Sequence, residues 1–127
     1  MEHNIHPVIL GSGRVARRLA TRIYLHYGLR ALAFSRTPSP MDRLFRLWHR
    51  HPLSPTIPDA VLVTALLEAA ERQEGDRIPL LYLCGTDNFS LLTQYRSALE
   101  AAYILCDERG TPLSEHTADH GIKEVLL

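Results

Sequence analysis

The chain has 127 residues, 14 basic and 14 acidic side chains, and a formal net charge of zero. That length suits one domain with a real core, and 46% apolar against 22% charged residues excludes a disordered composition. Zero net charge removes the simplest argument for nucleic acid, no apolar run approaches the ~20 residues of a membrane span, and Met1 to Pro7 has no signal-peptide pattern. A cytoplasmic protein with neither a nucleic-acid nor a membrane partner is expected.

Pro7 to Leu10 is a consecutive apolar run and reads as a buried parallel strand. Gly11-Ser12-Gly13 is a tight turn. Arg14 to about Tyr27 is helical, with Val15, Leu19, Ile23 and Tyr27 at four-residue steps as the expected apolar stripe and Gly28 as the stop. Leu29 to Phe34 is a second strand, ending at Ser35-Arg36. Thr37-Pro38-Ser39-Pro40 is loop, and Met41 to Phe45 makes a helical turn. Leu47 to His51 is a weak third strand, stopped by Pro52, before a proline-punctuated connection to Pro58. Asp59 to Gln73 is a helix. Asp59 is placed to cap it, and Val61, Leu62, Ala65, Leu66 and Ala69 line one face. Ile78 to Cys84 is a fourth strand. Asp87 or Asn88 caps a helix running to about Ala102, with Phe89, Leu92, Tyr95 and Leu99 as its stripe. Tyr103 to Cys106 is a fifth strand.

Alternating strands and helices of this length imply an α/β fold: a three-layer, Rossmann-like parallel sheet of about five strands with helices on both faces. Right-handed crossovers favour the order 3-2-1-4-5. Residues 1–107 form this domain, and residues 108–127 are an extension of a turn and a short helix.

The zero charge is a sum of unlike halves. Residues 1–58 hold nine arginines against Glu2 and Asp42, a balance of +7, and residues 59–127 balance at −7. Thirteen of the basic residues are arginine, Lys123 being the lysine. Arginine's planar fork suits carboxylate and phosphate, although a G+C-rich genome and solvated helix faces are the simpler source of such a bias.

Gly11-Ser12-Gly13-Arg14-Val15-Ala16 fits G-x-G-x-x-A between a strand and a helix, the context of a dinucleotide fingerprint. The helix start would offer free N–H groups to an anion. The plain alternative is that the glycines only fit the turn and close packing. Ser35-Arg36 stands where a reader of NAD would place an acid. Arginine there suits the 2′-phosphate of NADP. Gly85, Thr86, Asp87 and Asn88 follow the fourth strand on the same sheet edge, where capping alone also explains Asp87 and Asn88. His49 and His51, and His116 and His120, complete no recognised metal site. Cys84 and Cys106 read as buried free thiols.

Val8-Ile9-Leu10-Gly11-Ser12-Gly13, Phe34-Ser35-Arg36, Asp59 to Ala70, Leu80 to Phe89 with Leu91-Leu92, and Leu99 to Leu105 occur in a telling order. Over roughly residues 6–107 the chain resembles the N-terminal, pre-ATP-grasp domain of carboxylate–amine ligases, the D-aspartate-ligase-like and carbamoyl-phosphate-synthase-like proteins. The resemblance implies a ligase that uses ATP and magnesium to activate a carboxylate as an acyl phosphate and joins it to an amine. It implies that ATP and magnesium sit in later domains and that this chain alone binds no cofactor. The strand-end loops would form one wall of a site for a carboxylate or amine substrate. That carries over Gly11, Ser12, Gly13, Arg14, Ser35, Arg36, Gly85, Thr86, Asp87 and Asn88, and no catalytic residue. The family continues where this chain stops at Leu127. An isolated domain, a truncated piece or a short relative is expected, one that does not ligate alone and that docks the ATP-grasp domains or itself through an exposed apolar surface. The rivals are a small NADP-binding module and a non-enzymatic interaction or dimerisation domain.

Overall fold

The computed structural model describes residues 5–72, 77–84 and 86–112, without the side chains of Pro52 and residues 86–90. The elements run β1 (Ile5–Leu10), α1 (Gly13–Tyr27), β2 (Ala31–Ser35), α2 (Pro40–Leu44), β3 (Trp48–Pro52), α3 (Asp59–Arg72), β4 (Ile78–Leu83), α4 (Thr86–Ala102) and β5 (Ile104–Cys106). The five strands form one all-parallel sheet in the order β3-β2-β1-β4-β5, the order expected from the crossovers. The protein is a three-layer α/β fold of Rossmann-like architecture.

Alternation along each strand sorts side chains to two cores. Ile5, Ile9, Ala31, Ala33, Trp48, Leu80 and Tyr82 pack with Leu19, Ala20 and Ile23 of α1. Val8, Leu10, Phe34, Leu81, Leu83 and Leu105 pack with Leu62 and Leu66 of α3 and Leu91 and Leu99 of α4. Burying each such Leu or Ile contributes roughly 1.5–3 kcal/mol. The Tyr103 hydroxyl donates to the Leu66 carbonyl at 2.6 Å, tying the entry to β5 onto α3.

The expected stripes hold at Leu19, Ile23 and Tyr27 of α1 and at Leu62, Leu66 and Ala69 of α3, and each loses its first valine. In α1 the alanines Ala16 and Ala20 are buried, whereas Val15 is 46% exposed. In α3 Val63 and Ala70 are buried, whereas Val61 is 51% exposed.

Past β5 the chain turns at residues 107–110, and Cys106 bridges antiparallel to Pro112. The expected short helix in the extension, with His116 and His120, lies outside the described residues. Among the described residues no helix is long and apolar enough to cross a membrane.

Candidate functional site

The carboxyl ends of the strands bring the expected site residues to one edge. The ladder continues past β1: the Gly11 N–H donates to the Phe34 carbonyl and the Cys84 N–H to the Leu10 carbonyl, both at 2.9 Å. Gly11 therefore lies against the end of β4. A Cβ on Gly11 would stand 2.6 Å from Cys84 Cβ and 2.9 Å from Cys84 O. This close approach alone requires glycine, with no ligand involved. Gly13 opens α1 at φ +84°, a conformation costly for residues with a Cβ, although open space surrounds it. Ser12 caps α1 in extended conformation without a side-chain hydrogen bond to the helix.

The start of α1 is already filled by an anion from the chain itself. Both Asp42 carboxylate oxygens accept from the Gly13 N–H, at 3.1 and 3.2 Å. Arg17 Nη1 donates to Asp42 Oδ1 at 2.5 Å and to Ser39 Oγ at 3.1 Å. The Ser39 N–H donates to Asp42 Oδ2 at 2.9 Å, and the Asp42 N–H returns a bond to Ser39 Oγ at 3.2 Å, so Ser39 and Asp42 form the capping box of α2. Trp48 Nε1 donates to the Asp42 carbonyl at 3.3 Å. The Asp42 side chain is only 1% exposed. Burial pushes its carboxyl upward, but the bonds from Ser39, Gly13 and Arg17 outweigh burial and hold it below the ordinary carboxylate value.

The expected reader of a phosphate is likewise engaged. Arg36 Nη2 meets Asp59 Oδ1 at 2.5 Å, with both side chains part-exposed. Asp59 is the first helical residue of α3, and its carboxylate holds Arg36. Ser35 is buried, and its hydroxyl accepts from the Thr37 N–H at 3.2 Å. Arg14 is exposed at the first turn of α1. The backbone of Thr86, Asp87 and Asn88 opens α4 at the same edge, whereas Gly85 and these three side chains lie outside the described set.

Four large apolar side chains stand exposed in the helices that begin at this edge: Val15, Met41, Leu44 and Val61. Two cavities, of about 630 and about 210 Å³, lie elsewhere, and His6 borders both. None of their described lining residues belongs to the Gly-x-Gly turn or to Ser35 and Arg36.

Compared with protein-family models, curated proteins and solved structures, the chain matches none. Function therefore rests on the site itself.

Burial pushes both Cys84 and Cys106 up to about 12, so neither supplies a thiolate near neutrality. Among the described residues no group of three or more His, Cys, Asp or Glu side chains is placed to hold a metal ion. Residue-by-residue reading missed Asp42, Arg17 and Trp48. Two signals were available: Ser39-Pro40-Met41-Asp42 has the spacing of a capping box, and Asp42 is the single acid between residues 5 and 58.

Proposed function

We propose that the chain is the substrate-side, pre-ATP-grasp domain of an ATP-dependent carboxylate–amine ligase, and that it does not catalyse ligation by itself. The observation that favours this reading over the NADP-binding rival is the Asp42 carboxylate on the Gly13 N–H. A dinucleotide's pyrophosphate would need that helix start. A buried carboxylate there repels it and occupies its donor. Arg36, the rival's other anion contact, is paired with Asp59 in a part-exposed ion pair.

The fingerprint glycines then serve the turn, as Gly11 against Cys84 illustrates. The edge keeps Ser12 and Arg14 for a small carboxylate or amine substrate. Exposed Val15, Met41, Leu44 and Val61 supply apolar contact for the ATP-binding domains. ATP and magnesium do not fit the residues described here. No metal-holding group is among them, and the chain's lysine, Lys123, lies outside them. Those groups belong to the partner domains.

Titration calorimetry with NADPH tests the reading. No saturable binding is expected for the native chain. Saturable NADPH binding that disappears in Arg36→Ala would establish the NADP-binding module instead.

A further inference from the structure

A parallel sheet brings the amino ends of its strands to one edge, opposite the Gly-x-Gly turn. His6 is the second residue of β1 and His49 the second of β3, while Arg30 and Arg77 stand immediately before β2 and β4. The registers Ala31↔Trp48 and Ile5↔Ile78 keep these ends level. His6, His49, Arg30 and Arg77 all line the cavity of about 630 Å³, with Leu29 and Leu32 among its apolar walls. No acidic side chain is among its described lining residues. Neither Arg30 nor Arg77 has a carboxylate partner among the described residues. The Arg30 guanidinium carbon lies 6.0 Å from the centroid of the Tyr24 ring, and Tyr24 is itself a wall of the cavity, so that cation is held at it. His6 Nε2 is buried without a hydrogen-bond partner among the described residues. The charge of Arg77 opposes protonation of His6, so like charges face one another here with nothing to offset them.

We propose that this cavity binds a small organic anion, its carboxylate or phosphate group taken by Arg30 and Arg77 and its apolar part by Leu29 and Leu32. Guanidinium forks match the oxygens of either head group. An oxygen of that group would also give His6 Nε2 a partner and relieve the repulsion between the cations. The volume lies within the roughly 300–1,000 Å³ of small-molecule sites, and a few polar groups set among apolar walls is their usual lining. The cavity is at the other end of the strands from Ser12, Arg14 and Arg36, so the proposal stands or falls independently of the ligase reading.

Isothermal titration of the full chain tests it with hexanoate, hexyl phosphate, inorganic phosphate and neutral hexanol. Saturable one-site binding is expected for hexanoate or hexyl phosphate, and the tighter of the two identifies the head group. Hexanol should not saturate, and inorganic phosphate should bind at least about tenfold more weakly than the better organic anion. Arg30→Ala and Arg77→Ala should each weaken that anion about tenfold. Arg109→Ala, past the carboxyl end of β5, removes a cation elsewhere and should leave the affinity unchanged. Three results overturn the proposal: no saturation by either organic anion up to about 10 mM, inorganic phosphate binding as tightly as they do, or affinity that survives both arginine variants. Circular dichroism separates loss of binding from loss of fold. Should Arg30→Ala unfold for want of its Tyr24 contact, Arg77→Ala decides the outcome.

Discussion

Two arginine–aspartate pairs stand at the strand-end edge, both at 2.5 Å, and they do different things. Arg17–Asp42 is buried on the acid side, and that carboxylate also collects N–H groups from Gly13 and Ser39. Arg36–Asp59 is part-exposed on both sides and joins the end of β2 to the start of α3. Water screens the second pair, and its side chains hydrate readily when parted. Nothing replaces the first pair, because removing the carboxylate strands three donors at once, on Gly13, Arg17 and Ser39. Separation alone thus says little about an ion pair. Burial and the number of donors decide whether it organises structure.

The largest expected effect follows from that difference. Asp42→Ala should destabilise the fold by about 3 kcal/mol, read from urea denaturation midpoints. A loss below about 1 kcal/mol would put Asp42 in the same class as Asp59. Next comes the packing that places the turn beside Asp42. Gly11→Ala should cost about 2 kcal/mol, because its Cβ meets backbone and Cβ of Cys84. A neutral Gly11→Ala would show that β4 yields at this point.

The pH dependence separates Asp42 from a group elsewhere in the molecule. The Asp42 carboxyl sits below its ordinary 3.8, so its stabilisation is complete above that pH and is lost as pH falls through the folded value. His6, half-buried on β1, is lowered from 6.5, chiefly by burial. The unfolded chain therefore binds the His6 proton first, and stability declines as pH falls below 6.5. Stability measured from pH 8 to pH 3 should show both limbs. His6→Gln should flatten the upper one and Asp42→Asn the lower one. The smallest effect belongs to the exposed pair: a double-mutant cycle of Arg36→Ala and Asp59→Ala should return a coupling below about 1 kcal/mol.

The fold was largely legible because consecutive apolar runs, turn residues and crossover handedness all constrain a parallel sheet in the same direction. Pro7 to Leu10 and Ile78 to Cys84 left little freedom for their strands. The burial of Ala16 and Ala20 in place of Val15 was not legible, since four-residue spacing is satisfied on more than one helix face. At the site, Gly11, Gly13 and Arg36 stood out by position. What they bond to did not. Asp42 is 29 residues from Gly13 along the chain, and only the packing of α2 against α1 brings them together. A local motif announces donors but not which acceptor the fold supplies.

The sheet also has two rims, and each is unsuited to lengthening. β5 offers three residues, with Pro112 bridged to Cys106 just beyond. At the other rim β3 alternates His49, Arg50 and His51 and ends at Pro52, which has no N–H to give. An incoming strand would find few free bonds and would have to leave the Arg50 cation beside its own backbone. Neither rim is therefore an easy template for continuing the sheet into another chain.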